Sequence, residues 1–285
     1  METPPVINLL ITDLDNTLYD WVSSFVPAFY GMVDAAAELL SVDREQLLDE
    51  LREVHQRYRN VEQPFALLET ETVVGRYPNA SRLERKNELE GVFRVFSDIR
   101  RERLRPYPGV RETLAAIRTS GCAVVGYTEA VVENSLYRLK LLGLTDLLQR
   151  LYAPEGGAGG HPDPSRRSIL EGFADYVYLL PPGHRKPDPA VLANICVSHH
   201  VRASRALYVG DNQEKDIAMA KAAGVHAAWA RYGHAKDPET WGKLVRVTFW
   251  SQADTEREDD PDCRVKLDSF AELLQYYAFK GFDAA

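Results

Sequence analysis

The chain has 285 residues, 45% of them apolar and 27% charged, a balance that supports a folded core and excludes a disordered chain. A formal net charge of −8 disfavours nonspecific binding to nucleic acid or to an anionic membrane, both of which need a basic surface. No run approaches the ~18 to 20 apolar residues of a membrane span, and Met1-Glu2-Thr3-Pro4-Pro5 lacks the basic segment of a signal peptide, so a cytoplasmic address is expected.

The first apolar run, Val6-Ile7-Asn8-Leu9-Leu10-Ile11-Thr12, predicts a strand that stops at Asp13-Leu14-Asp15-Asn16-Thr17-Leu18. A strand's period of two sends Asp13 and Asp15 to the same side while Leu14 points away. Open α/β sheets bind ligands at the carboxyl ends of their strands, so this is the end at which chemistry is expected. An aspartate pair also opens many surface turns, and alone it does not decide between the two readings.

From Trp21 the pattern turns helical and stays so to about Arg103. Trp21, Val22, Phe25, Val26, Phe29, Val33, Ala36, Ala37 and Leu40 recur at helix spacing, as do Leu47, Leu48, Leu51, Val54 and Tyr58. Ser81 and Glu84 fit a capping box before a helix that carries Leu89, Val92, Phe93, Phe96 and Ile99 on one face. Residues 20–104 are expected to form an all-helical insert in a core made of 1–19 and 105–285.

After Pro106-Tyr107-Pro108-Gly109 helices and strands alternate. A helix over 110–120 closed by Gly121, a strand over 122–127, and a helix through Leu136, Leu139 and Leu142 closed by Gly143 come first. Strands are predicted at 176–180, 206–209, 225–230 and 264–267, with helices at 189–199 and 215–223 and a terminal helix. That alternation implies an α/β fold with a doubly wound parallel sheet covered on both faces. Glu155-Gly156-Gly157-Ala158-Gly159-Gly160 lacks the Gly-Lys-Ser/Thr ending of a nucleotide loop and reads as a surface loop, as does the acidic stretch 254–262. Cys122, Cys196 and Cys263 lack metal-ligand spacing and read as buried thiols. The histidines are scattered and read as structural or solvated.

Later strand ends carry further polar groups. Thr128 closes the 122–127 strand, with the backbone N–H groups of Glu129 and Ala130 following it. Lys186 precedes a helix with Asp188 as its cap and Pro189 at its first position. Leu207-Tyr208-Val209-Gly210-Asp211 ends another strand in a carboxylate, and Asp216 follows. Singly, Thr128 suits a helix cap, Lys186 a solvated surface and Asp211 a turn. Their joint order at successive strand ends is far less easily accidental.

In this order of motifs the sequence resembles the haloacid dehalogenase-like hydrolase superfamily along its whole length: Asp13-Leu14-Asp15-Asn16-Thr17, then Thr128, then Lys186-Pro187-Asp188, then Gly210-Asp211 with Asp216. The helical block falls where that family inserts a C1-type cap on its Rossmann-like core. The resemblance implies Mg²⁺ held by the Asp13 carboxylate, the Asp15 carbonyl and Asp211, with Asp216 supporting them. It also implies attack by Asp13 on phosphorus, proton transfer by Asp15, and binding of the transferring group by Thr128, Lys186 and the backbone at Glu129 and Ala130.

An acid two residues after the nucleophile separates phosphatases from the related dehalogenases, whose halide leaves without a proton. The expected activity is therefore hydrolysis of a small phosphorylated metabolite through an aspartyl-phosphate, with no nucleic-acid or membrane partner. Phosphoglycolate phosphatases and pyrimidine 5′-nucleotidases are similar branches. A phosphomutase, or a binding protein on the same scaffold, is the alternative. Specificity is expected in about 21–104, with Arg57, Arg59, Arg76 and Arg82 as candidate readers. Glu129 departs from the family's usual Asn, placing a negative group near the phosphate unless it turns away or pairs with Lys186. The segment 151–175 is longer than the family's usual link.

Overall fold

Asn8 divides the first apolar run. The computed structural model describes residues 3–63, 65–156, 161–163, 170–234, 236–248, 250 and 263–281, and in it Val6–Ile7 forms β1 and Leu9–Thr12 forms β2. The Asn8 side-chain amide donates to the carbonyls of Lys280 (3.0 Å) and Gly281 (3.1 Å), and β1 pairs in parallel with β9, Ala278–Phe279. The single strand expected over 6–12 is thus two short strands in different sheets.

Between β2 and the rest of the sheet the chain is helical: α1 Trp21–Leu40, α2 Arg44–Tyr58, α3 Glu71–Arg76, α4 Arg82–Glu88 and α5 Glu90–Arg103. Asp20 caps α1 by accepting from the Ser23 backbone N–H at 3.0 Å, and the Ser81–Glu84 capping box forms in both directions. The apolar face of α1 buries Trp21, Phe25 and Phe29, and Phe25 meets Phe96 of α5 edge to face at 6.2 Å.

The remaining elements alternate: α6 Val110–Thr119, β3 Ala123–Tyr127, α7 Val132–Leu142, β4 Arg150–Pro154, β5 Val177–Leu180, α8 Pro189–Ser198 and β6 Ala206–Gly210. A π-helical turn, Gln213–Ile217, runs into α9 Ala218–Ala222, and β7 His226–Ala230, α10 Arg231–His234, α11 Pro238–Arg246, β8 Lys266–Leu267 and α12 Leu273–Tyr276 follow. The main sheet is parallel in the order β5-β4-β3-β2-β6-β7-β8. Leu10, Val124, Leu207 and Val209 face the side that continues into the helical block, while Leu9, Ile11, Val125 and Tyr208 face α8 and α9. Both faces are covered, so the central strands are buried throughout and the doubly wound reading holds.

Several local expectations are corrected. The segment 151–175 opens with β4, which shortens the link, because a strand buried on both faces shows no alternation to betray it. The helix expected over 215–223 begins as a π turn, and the last strand is confined to Lys266–Leu267. The helices α10 and α11 lie where no element was expected, although Asp237-Pro238-Glu239 is a helix start. Most of the glycine-rich 155–160 stretch and all of the acidic 254–262 stretch lie outside the described residues. Cys122, Cys196 and Cys263 are buried and unbridged, as expected. Among the described residues, no helix is long and apolar enough to cross a membrane.

Candidate active site

Strand β2 lies between β3 and β6, and the Asp13 backbone N–H continues the ladder by donating to the Val209 carbonyl at 2.8 Å. Asp13 therefore leaves the sheet beside the ends of both neighbours. The chain then turns sharply: Asn16 adopts φ 57°, which asparagine tolerates, and its N–H donates to the Tyr19 carbonyl at 2.8 Å. Gly233 of α10 packs against this turn so closely that a Cβ there would lie 1.5 Å from the Asn16 carbonyl oxygen.

Lys186 reaches in from the loop before α8 and is 6% exposed. Its Nζ donates to Asp13 Oδ1 (2.7 Å) and Asp216 Oδ1 (3.0 Å) and lies over the Tyr127 and Tyr208 rings at 5.1 and 5.4 Å. Asp216 also accepts from the Tyr208 hydroxyl (3.0 Å) and the Asn212 N–H (3.1 Å). Asp211 Oδ2 faces Lys236 Nζ at 3.4 Å, while the Trp229 indole donates to the Asp211 carbonyl at 2.9 Å. Carboxylate oxygens of Asp13, Asp211 and Asp216 all lie within 4.8 Å of one another, a hard oxygen set of the kind Mg²⁺ takes.

The electrostatics follow from burial and crowding. Burial pushes the Asp13 carboxyl well above its usual range; Lys186 pulls it down, and Asp216 and Asp211 add to the rise. Burial likewise raises Asp211 to about 6 against the pull of Lys236. For Lys186 burial opposes the charge, yet Asp13 and Asp216 outweigh it and hold its pKa well above the ordinary value. The cations present leave these acids short of positive charge.

Thr128, Glu129, Ala130 and Asp15 line the same cavity of about 870 Å³ as Asp13, Lys186, Asp211 and Asp216. Two of these residues depart from expectation. The Ala130 N–H is spent inside the turn, donating to Thr128 Oγ1 at 3.0 Å, which leaves the threonine hydroxyl its own proton to offer. Glu129 pairs with the Lys215 ammonium at 2.8 Å and accepts from the Lys186 backbone N–H at 3.2 Å, so its charge is compensated before any phosphate arrives.

Asp15 is held by a partner that the sequence did not single out. Arg138, 1% exposed on α7, donates through Nη1 to Asp15 Oδ1 (2.8 Å) and Oδ2 (3.0 Å), and through Nη2 to Glu62 of the helical block. Glu62 also accepts from the Trp21 indole at 3.0 Å. The only local signal was an arginine between the buried Leu136 and Leu139. Of the arginines considered as readers, Arg59 lines the cavity, whereas Arg57 and Arg82 face Glu69 at 4.0 and 3.5 Å and Arg76 borders a separate hollow. Among the histidines, His234 also lines the cavity, and His184 Nε2 lies 2.7 Å from the Tyr127 hydroxyl.

Residues 7–224 match the haloacid dehalogenase-like hydrolase family. The chain is 29% identical to an N-acetylmuramic acid 6-phosphate phosphatase from Pseudomonas aeruginosa, over 85% of this chain and 90% of that one. Identity to a phosphoglycolate phosphatase from Rhodospirillum rubrum is 41%, over 27% of this chain and 34% of that protein. The fold resembles a 2-haloacid dehalogenase from Pseudomonas syringae at a TM-score of 0.58 and 20% identity, covering 95% of this chain and 97% of the other.

Proposed function

The chain belongs to the haloacid dehalogenase-like hydrolases, and on that premise we propose that it is a Mg²⁺-dependent phosphatase that hydrolyses a small phosphomonoester through an aspartyl-phosphate on Asp13. The observation that carries the reading is the pairing of Asp13 with a buried lysine, 2.7 Å away, within a carboxylate cluster that opens on the cavity. Residues 1–19 and 105–285 serve as the catalytic core and 20–104 as its helical cap.

The donor set suits Mg²⁺, which prefers carboxylate oxygens and retains waters, and the raised Asp13 and Asp211 carboxyls are those that a divalent cation would keep ionised. Asp13 and Asp211, with the Asp15 carbonyl, would hold the ion, and Asp216 would support them. When bound it would neutralise charge on the phosphoryl oxygens. Lys186 and the Thr128 hydroxyl add fixed donors for the same oxygens.

Asp13 attacks phosphorus as the ester P–O bond breaks, and Asp15 hands its proton to the departing alkoxide, releasing an alcohol. Asp15, now a carboxylate, takes a proton from water as that water attacks the phosphorus. The Asp13–phosphate bond breaks and inorganic phosphate leaves. Arg138 fixes the direction of the Asp15 carboxylate through both turnover steps. Hydrolysis in place of mere binding accounts for Asp13, Asp15, Lys186, Thr128 and Asp211 all bordering one cavity.

Acetyl phosphate, whose leaving group needs no proton, tests the assignment. Asp15→Asn should still be phosphorylated but dephosphorylate ~10²- to 10⁴-fold more slowly, so covalent phosphoenzyme accumulates on acid quench. Asp13→Asn should trap none. Turnover by Asp13→Asn above about a hundredth of wild type would remove Asp13 as the nucleophile, given the accelerations of ~10⁶ or more that enzymes supply.

A further inference from the structure

Three separate segments of the chain meet at the Glu129 side chain. Glu129 lies just past the end of β3, borders the cavity that holds Asp13 and Lys186, and keeps only 23% of its side chain exposed. Its Oε1 accepts from the Lys186 backbone N–H at 3.2 Å, and its Oε2 accepts from Lys215 Nζ at 2.8 Å. Lys215 is the middle residue of the π turn Gln213–Ile217 and stands next to Asp216, which accepts from Lys186 Nζ at 3.0 Å. Asn212 fixes that turn, its Oδ1 accepting from the Lys215 N–H at 2.9 Å. Lys186 is thus held at its backbone by Glu129 and at its ammonium by Asp13 and Asp216.

A carboxylate in this position opposes a phosphate dianion in the same cavity, and the repulsion grows as water is excluded. Glu129 therefore weakens phosphate binding unless a cation stays with it. Lys215 does so, and it borders the cavity as well. Bracing the Lys186 N–H needs only an acceptor, which a neutral amide would supply equally. The charge on Glu129 is thus matched to Lys215 and not to the hydrogen bond with Lys186.

We propose that Glu129 and Lys215 act as one positioning unit of the phosphate site: Glu129 braces the Lys186 backbone, Lys215 cancels the Glu129 charge, and the neutral pair sets how tightly phosphate is held. The inference rests on the phosphatase reading above and deepens it by adding the two side chains to its phosphate site. Lys186 already brings one fixed ammonium there. A Lys215 without its partner would add another and slow the release of inorganic phosphate, the last product. A Glu129 without its partner would repel the incoming ester. Joined to each other, the two side chains avoid both penalties while the brace on Lys186 stays in place.

The test titrates inorganic phosphate into the full-length protein with Mg²⁺ by calorimetry and measures kcat and KM on 4-nitrophenyl phosphate alongside. Lys215→Met strands the Glu129 charge and should raise the phosphate Kd ~10-fold, with KM rising in step and kcat changing less. Lys215→Arg restores the charge and should recover most of that loss. Glu129→Gln releases Lys215 and should shift the Kd the other way, lowering it ~10-fold. Lys215→Met with Glu129→Gln should fall between the two single variants, near wild type. Glu129→Ala, which also removes the acceptor for the Lys186 N–H, should lose ~10-fold in kcat beyond any change in Glu129→Gln, because Lys186 is then misplaced. Single variants that shift the Kd in the same direction or by less than about twofold would overturn the pair, as would a Lys215→Met loss that Glu129→Gln fails to reverse. Equal kcat in Glu129→Ala and Glu129→Gln would overturn the brace. Each of these leaves the phosphatase reading intact as long as wild type releases phosphate from the ester. If wild type releases none from 4-nitrophenyl phosphate or acetyl phosphate, the phosphatase reading fails, and the signs of the calorimetric shifts alone decide the pair. No binding of phosphate by wild type overturns it.

Discussion

Removing Arg138 tests both the stability of the contact between α7 and the helical block and the hold on Asp15. Burial opposes the Arg138 charge, but Asp15 and Tyr19 outweigh it and hold the guanidinium pKa above its ordinary value. Arg138→Met keeps the length of the side chain and deletes the charge, leaving Asp15 and Glu62, with side chains 22% and 12% exposed, facing the gap with no cation between them. Breaking a buried pair from one side costs ~3 to 5 kcal/mol; because both carboxylates retain some solvent, the lower end, about 3 kcal/mol, is expected. Arg138→Met with Glu62→Gln removes one stranded charge and should recover about 1 to 2 kcal/mol of that loss, since leaving a buried polar group unsatisfied costs that order. Urea unfolding measures both, read from the midpoints at constant m-value. The same single variant frees the Asp15 carboxylate to swing, so kcat on an alkyl ester should fall ~10²-fold, the scale on which a misplacement of about 1 Å acts, with a smaller loss on acetyl phosphate. A single variant within about 0.5 kcal/mol of wild type, the range of ordinary surface changes, would refute the argument. So would equal activity losses on the two substrates.

Two further outcomes follow from the same physics. Chelation should silence phosphate release, Mg²⁺ should restore it, and Ca²⁺ should restore it poorly because it takes more ligands at longer distances and would draw both Asp13 oxygens toward itself; full activity in excess chelator would exclude the metal assignment. Burial holds the His55 imidazole at about 4 in the fold against 6.5 in the unfolded chain, with the Val247 carbonyl opposing the shift. Between those pH values the unfolded chain binds the proton and the folded one does not. Stability above pH 6.5 is therefore unaffected by this group and falls as pH drops toward 4, by about 1.4 kcal/mol per unit and roughly 3 kcal/mol in all. His55→Asn should flatten that component of the stability profile, and urea midpoints that run parallel in wild type and variant from pH 7 to 4 would contradict it.

The parts of the site that were legible in the sequence are those whose chemistry is written locally. Asp13, Thr128 and Asp211 each follow an apolar strand and Lys186 precedes a helix with a readable cap; singly each also suits a structural reading, and it was their joint order and the family resemblance that brought them together. Arg138 was not legible because its partners Asp15 and Glu62 lie 123 and 76 residues away, and no local pattern encodes that meeting. The conflict expected at Glu129 dissolved for the same reason: its cation, Lys215, lies 86 residues on. In the fold, helices α1 and α2 were evident from their spacing. Strand β4 was hidden by burial on both faces, and the break at Asn8 depends on a side-chain contact with Lys280 and Gly281.

The distribution of charge explains how so many carboxylates share one cavity. Asp15 and Glu62 share the single guanidinium of Arg138, and Glu129 has Lys215, so the acids outside the cluster draw on cations that do not touch Asp13. Within the cluster Asp13, Asp211 and Asp216 face the ammonium groups of Lys186 and Lys236; three negative charges against two positive ones leave one uncompensated. Burial is the main reason that the Asp13 and Asp211 carboxyls are raised, and the neighbouring carboxylates add to it. In the proposed reaction a divalent cation would convert the deficit into a net positive charge toward a phosphate dianion, while the Asp15 side chain stays with Arg138. Asp13 and Asp15 thus sit in separate ion-pair networks although only Leu14 stands between them, so in the proposed reaction a cation added beside Asp13 would act on the nucleophile and leave the Arg138 contact of Asp15 in place.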